Sequence, residues 1–168
     1  MRRRSELDGW QSLQGRGPDG SIESDERVRA ARPVVARGDA GARHLGDRYW
    51  LEVARASRGA VRRRDTARGI ELRVFGRGPC LLRFGPPDAR VGPRCVSCSY
   101  AILGGLLARR PGGSFTLSQA GDADVELRAA VNGFAPRLAA QPYEQLQRRA
   151  HLRISRRYFR ALIAEATP

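Results

Sequence analysis

Between about residue 60 and residue 131 the chain alternates apolar and polar positions in short runs, each closed by glycine or proline, which predicts antiparallel strands joined by turns. Ala60–Thr66 is followed by Ile70–Phe75, where Ile70, Leu72 and Val74 face one way and Glu71, Arg73 and Phe75 the other. Ala67-Arg68-Gly69 supplies a short connection with a glycine suited to positive φ. Cys80–Phe84 follows and is stopped by Gly85-Pro86-Pro87-Asp88, and Ala89–Val91 opens a further strand before Gly92-Pro93. The chain is organised around Arg94–Gln119, which holds two strand-like runs, Cys95–Ile102 and Ser114–Gln119. They are joined by Gly104-Gly105, a short apolar patch (Leu106-Leu107-Ala108) and Pro111-Gly112-Gly113. Val125–Val131 is the last strand, with Val125, Leu127, Ala129 and Val131 inward, and Asn132–Arg137 leaves the sheet.

The period then changes. Tyr143, Leu146, Ala150, Ile154, Tyr158 and Leu162 recur at three- and four-residue steps, widened by Leu152, Phe159 and Ile163, and predict a helix from about Tyr143 to Ala164. Pro142 suits its first turn. Arg148, Arg149, Arg153, Arg156, Arg157 and Arg160 occupy its other surface. A shorter helix is predicted from about Arg48 to Ser57, capped by Asp47, with Tyr49, Val53 and Ala56 on one side and Trp50 and Ala54 adjoining. Residues 1–44 mix Arg, Asp, Glu, Gly and Ser around the isolated apolar Trp10, Leu13 and Ile22, and read as a disordered tail. Two alternatives stay open there: a first strand at Arg32–Ala36, and a tail that binds a partner through Trp10. Residues 45–166 make a single α+β domain, a curved antiparallel sheet closed by one long C-terminal helix. The competing architecture is a smaller sheet with two helices on one face, pairing as a homodimer through its open side.

Charge adds little to this picture. The net charge is +14, and every basic residue besides the histidines is arginine, with no lysine in 168 residues. That bias fits a GC-rich coding sequence better than selection for phosphate contacts, which use both residue types. The charge attracts anionic partners without naming them. Three cysteines are too few for a disulfide scaffold and point to reduced thiols in a cytoplasmic protein. No apolar run approaches the roughly 20 residues that cross a bilayer. The start, Met1-Arg2-Arg3-Arg4, is not followed by the apolar segment of a signal peptide.

No motif for catalysis or for a metal or cofactor emerges. Cys95 and Cys98 are three apart, so in one regular strand they point to opposite faces. Redox chemistry asks for a helix N-terminus beside the pair, and zinc asks for two further ligands that Cys80, His44 and His151 do not supply as a second paired motif. Gly104-Gly105 lacks the surroundings of a phosphate loop. It reads as a bend before a long hairpin loop or a rim that gates a cavity. His151, at the edge of the helical stripe, reads as a structural histidine, with Glu71 and Glu126 as the carboxylates a fold could bring near; both also suit a solvent face. Arg62-Arg63-Arg64 reads as a solvated strand face or as a grip for phosphate or carboxylate.

The order of a short helix, an antiparallel meander and a long closing helix, with Gly104-Gly105-Leu106-Leu107 before the strand Ser114–Gln119, resembles the START-like helix-grip superfamily, also called the polyketide cyclase or lipid-transport superfamily. The resemblance covers about Arg48 to Ala164. It implies an apolar cavity between a bent sheet and the C-terminal helix, with lipids, hormones or polyketides as the ligands of many members. That family also has a strand and two helices before the meander, where this sequence displays one clear helix. The expected function is therefore non-enzymatic binding of a hydrophobic or acidic amphiphilic small molecule. Tyr100, Phe115, Leu127, Ile154 and Tyr158 are the expected walls, and Arg109 and Arg110 the expected mouth. Two other classes compete: a nucleic-acid or other anionic partner held by the arginine clusters, and a cyclase-like enzyme.

Overall fold

The computed structural model describes residues 7–137 and 141–166. Tyr143 and Leu146, expected in the helical stripe, have side chains outside the described residues. The chain runs β1 (Gln11–Arg16), β2 (Ile22–Ala30), α1 (Asp39–Ala56), β3 (Val61–Thr66), β4 (Gly69–Val74), β5 (Cys80–Phe84), β6 (Asp88–Val91), β7 (Cys95–Gly104), β8 (Ser114–Ala120), β9 (Val125–Phe134) and α2 (Gln141–Ala166).

All strand pairings are antiparallel, in the order β1-β2-β9-β8-β7-β5-β4-β3, with β6 also paired to β7. β6 pairs with the first half of β7 (Asp88 with Ser99, Val91 with Val96), whereas β5 pairs with its end (Phe84 with Ile102). One edge of β7 is thus shared between two strands, and the sheet curls where the chain passes from one to the other. Gly104 and Gly105, at φ 133° and 119°, take the chain out of β7 at that bend. The result is an open, curved sheet whose inner face carries both helices, a helix-grip-like α+β architecture.

Alternation sorts the strands as expected. Val96, Cys98, Tyr100 and Ile102 of β7 are buried, Phe115 and Leu117 of β8 join them, and Val125, Leu127 and Ala129 of β9 complete the floor. Cys95 and Cys98 diverge: Cys95 is exposed, Cys98 is buried, and both are free thiols. On the outer face Ser99 and Thr116 hydrogen-bond across the β7–β8 pair at 2.9 Å.

The amino-terminal segment differs from the expectation of a disordered tail. Residues 11–30 form the β1–β2 hairpin, and β2 pairs with β9 from Ile22–Phe134 to Ala30–Val125. Val28 and Ala30 lie in the core. Trp10 packs edge-on against Phe159 of α2, with ring centroids 6.0 Å apart, and the Arg156 guanidinium lies 5.1 Å from its centroid. The strand before α1 is therefore β2 and not Arg32–Ala36. That stretch is a connection held by Gln119, whose Oε1 accepts from the Val34 and Val35 N–H groups at 2.7 and 3.0 Å and whose Nε2 donates to the Val35 carbonyl at 2.9 Å.

Helix α1 begins at Asp39, about nine residues before its expected start, so Asp47 is a mid-helix residue paired with Arg63 and not a cap. Its early turns contain Gly41 and Gly46, poor helix formers required by close approach. A Cβ on Gly46 would stand 1.9 Å from the Tyr100 hydroxyl, and one on Gly41 would stand 1.9 Å from the Ala36 carbonyl oxygen. Likewise β9 continues through Asn132-Gly133-Phe134, residues expected to leave the sheet.

Candidate functional site

The C-terminal half of α2 packs down through Tyr158, Phe159 and Leu162, all buried, whereas Arg148, Arg149 and Ala150 nearer its N-terminus are exposed. Tyr158 meets Tyr49 of α1 at 5.3 Å between centroids. This seam ties the two helices together, and His44 and Arg48 add contacts from α1 to Glu165. Between the N-terminal half of α2 and the sheet lies a cavity of about 570 Å³, within the size range of small-molecule sites. Tyr49, Trp50 and Val53 of α1, Leu72, Leu82 and Phe84 of β4 and β5, and Ile102 and Phe115 of β7 and β8 supply an apolar wall. Ile22, Ser24, Val131 and Phe134 close the β2–β9 side, Leu107 comes from the loop after β7, and Ala150, His151 and Ile154 come from α2. Gln14, Gly15, Arg16, Gln145 and Arg148 are exposed lining residues and mark the rim.

Among the described residues one polar constellation stands at the wall, with Ser24, Tyr49 and His151 lining it and Glu26 buried behind them. Ser24 and Glu26 are two apart on β2 and so share its inner face. Both are buried, Glu26 completely. The His151 ring reaches them from α2, with Nε2 2.8 Å from Glu26 Oε2 and 3.2 Å from Ser24 Oγ. Its Nδ1 lies 3.4 Å from the Tyr49 hydroxyl. The remaining oxygen of Glu26, Oε1, is buried with no hydrogen-bond partner among the described residues. Burial first, and the Glu26 carboxylate second, push the Tyr49 hydroxyl well above the usual tyrosine range, so it stays protonated at physiological pH.

Glu26, and neither of the carboxylates expected from the sequence, is thus the partner of His151. Glu71 lies on the other side of β4, clamped by Arg73 at 2.7 Å and Arg83 at 3.3 Å, and Glu126 faces Arg27 at 3.6 Å.

Of the expected wall residues, Phe115 and Ile154 line the cavity. Tyr100, Leu127 and Tyr158 are buried but absent from the lining. The Tyr100 hydroxyl points under α1 at Gly46, and its ring packs edge-on to Trp50 at 5.2 Å. Arg109 and Arg110, expected at the mouth, instead hold the β1–β2 turn. Arg109 donates to the Asp19 carbonyl at 2.7 Å and Arg110 pairs with the Asp19 carboxylate. Ser24, Glu26, Tyr49 and His151 escaped the sequence reading as a set. The inward position of Tyr49 on a helical face and of His151 at the edge of the stripe gave a signal, whereas Ser24 and Glu26 gave none, since they break the apolar alternation that marks an inner face.

The arginine clusters are dispersed. Arg63 pairs with Asp47 and Asp65, and Arg62 donates to the Gly59 carbonyl at 3.0 Å. On the outer side of α2, Arg149, Arg153, Arg156, Arg157 and Arg160 line a groove of about 740 Å³ whose floor includes Glu52. Glu52 is buried and already bonded to Arg48, Arg55 and Arg157. Among the described residues no group of three or more His, Cys, Asp or Glu side chains stands ready for a metal ion. No described helix is long and apolar enough to cross a membrane.

No protein-family model matches the chain, and no curated protein matches it. Among solved structures, the solution NMR structure of CalU16 from Micromonospora echinospora is similar at 14% identity and TM-score 0.38, over 92% of this chain and 76% of that one. The crystal structure of the same protein is similar at 16% identity and TM-score 0.30, over 95% of this chain and 94% of that one.

Proposed function

We propose that the chain binds a hydrophobic or amphiphilic small molecule in the cavity between the sheet and the N-terminal half of α2, without acting on it as an enzyme. What carries the reading is the cavity of about 570 Å³, whose wall is mainly aromatic and aliphatic, with Ser24, Tyr49 and His151 together inside it and the other polar lining residues at the rim. That combination is the usual composition of a ligand pocket, with apolar area for affinity and a few polar atoms for orientation. A protein with no ligand to hold would gain by filling such a space, because packed interiors leave few voids larger than a water molecule.

The test is titration with an apolar fluorophore, N-phenyl-1-naphthylamine, whose emission rises in a dry site. Saturable one-to-one binding is expected. Ile154→Trp adds volume to the wall, and a folded variant should bind at least about tenfold more weakly. Val91→Ser, at an exposed position on β6, should bind as the parent does. Undiminished binding by a folded Ile154→Trp protein would move the site elsewhere, and no binding by the parent would end the reading.

A second reading rests on the outer groove of α2, where five arginines offer an anionic partner a concave surface. Retention on heparin that weakens steeply as salt rises would favour it. Retention unaffected by exchanging Arg149 and Arg153 for glutamine would reject it.

A further inference from the structure

We propose that the cavity holds its ligand by a hydroxyl group, bridged between the Tyr49 hydroxyl and Nδ1 of His151. This rests on the reading that the cavity binds a small molecule, and adds the chemistry of the group it recognises.

The argument begins at Glu26. Its carboxyl group is completely buried, and the hydrogen-bond partner its Oε2 finds is Nε2 of His151. A buried carboxylate is costly unless a donor meets it, so Nε2 carries the proton that points at Glu26. In a neutral imidazole that leaves Nδ1 as an acceptor. Among the described residues the Tyr49 hydroxyl lies 3.4 Å from Nδ1. This is longer than the usual O–H···N distance and makes a weak bond at best. A third oxygen about 2.8 Å from both atoms sits beside the pair, off the line that joins them, and trades one long contact of 3.4 Å for two of ordinary length.

The donor and acceptor pattern then selects the ligand group. With the ring neutral Nδ1 is left to accept, and the Tyr49 hydroxyl, kept protonated by burial, is left to donate. A group that donates to one and accepts from the other is a hydroxyl: an alcohol or a phenol. A ketone or ether oxygen satisfies Tyr49 and leaves Nδ1 facing a lone pair. A carboxylate has no proton for Nδ1, and it would place a second negative charge across the ring from Glu26, whose Oε1 has no hydrogen-bond partner among the described residues. The arginines in the lining, Arg16 and Arg148, are at the exposed rim.

The test compares three ligands of one shape, naphthalene, 2-naphthol and 2-naphthoate, by displacement of N-phenyl-1-naphthylamine at pH 7. 2-Naphthol should bind on the order of tenfold tighter than naphthalene, from two net hydrogen bonds, and 2-naphthoate weakest. Tyr49→Phe keeps the ring and removes the hydroxyl, and should bring 2-naphthol to the affinity that the same variant shows for naphthalene. His151→Phe should do the same; if it fails to fold, Tyr49→Phe decides alone. Equal affinity for naphthalene and 2-naphthol would overturn the hydroxyl assignment and leave the cavity reading standing. So would tightest binding of 2-naphthoate, or a 2-naphthol preference that survives Tyr49→Phe. Failure of all three to displace a bound fluorophore would overturn the assignment, and failure of the fluorophore itself to bind would overturn both.

Discussion

Asp25 shows how single residues of this arginine-rich chain are spent on structure. It lies on the outer face of β2, where Arg27 from its own strand and Arg128 from β9 both reach it, the latter through two bonds of 2.8 and 2.9 Å. Burial alone would raise its pKa. The guanidinium hydrogen bonds from Arg27 and Arg128 outweigh that and lower it from 3.8 to about 2. A carboxyl group held down in the folded state adds stability that is fully present above its unfolded value and lost as pH falls through the folded one. The window is therefore pH 3.8 to about 2, and a shift of this size is worth about 2 kcal/mol at most. Arg128→Ala should remove roughly half of that and move the Asp25 titration back toward 3.8. Carboxyl carbon NMR shifts against pH, with urea unfolding at pH 7 and pH 3, measure both. An Asp25 that titrates near 3.8 in the parent protein would contradict the geometry. The same economy appears at Arg63, Arg109 and Arg110, each occupied by a nearby aspartate or backbone carbonyl. A high formal charge is thus consistent with many arginines already committed within the molecule.

At the scale of elements, the contact that seats α1 is the approach of Gly46 to Tyr100. Alanine is worth about 1 kcal/mol over glycine in a helix interior. At Gly46 the added Cβ would meet the Tyr100 hydroxyl at 1.9 Å, and overpacking of a filled core costs about 1–3 kcal/mol. Gly46→Ala should therefore destabilise. Adding Tyr100→Phe removes the clashing oxygen, leaving ring carbon Cζ at 3.0 Å and Cys98 Sγ at 3.3 Å as the nearest atoms, and should restore part of the loss. Urea midpoints of the two single variants and the double measure this; costs that simply add would contradict a shared clash. The same glycines explain what the sequence could and could not disclose. β4, β7, β8 and β9 were legible because their inward positions are apolar and period two survives. The rear of α2 was legible because Ile154, Tyr158 and Leu162 keep a helical stripe. The start of α1 was not, since Gly41 and Gly46 read as breakers until the surfaces they touch are known. β2 was not, since its inward side carries Ser24 and Glu26, and only the structure reveals that Ser24 lines a site and Glu26 backs the His151 that lines it. Depth was illegible too: alternation puts Phe115 and Tyr100 on the same inner surface but does not say that α1 covers one and leaves the other at the cavity.

At the scale of the whole molecule, the question is whether residues 1–44 are an appendage or part of the folding unit, and β2 answers for the segment that contains it. Its pairing with β9 runs from Ile22 to Ala30, Val28 is 1% exposed, and Glu26 supplies the buried partner of His151. β1 is different: every residue of it is exposed, and its link to the core is made next to it, by Trp10 against Phe159. The two strands should therefore differ in how much they matter. A chain beginning at residue 32 loses the β2–β9 ladder, bares the edge of β9 and strips one side of the cavity. Burial of Val28 alone is worth about 1.5–3 kcal/mol, against a total stability of about 5–15 kcal/mol for a typical domain. With the lost backbone pairing added, this shortened chain should fail to unfold cooperatively and should aggregate through the exposed strand edge. A chain beginning at residue 21 keeps β2 and loses only β1, its turn and Trp10. It should remain folded with a lower melting temperature, and it should still bind N-phenyl-1-naphthylamine, because the apolar wall stays in place while part of the rim is lost. Circular dichroism melts and size-exclusion profiles of the two shortened chains beside the full one distinguish these outcomes. A chain from residue 32 that melts cooperatively at the parent temperature would mean that β2 is ornamental, that the folded unit starts at α1, and that Glu26 does not position His151.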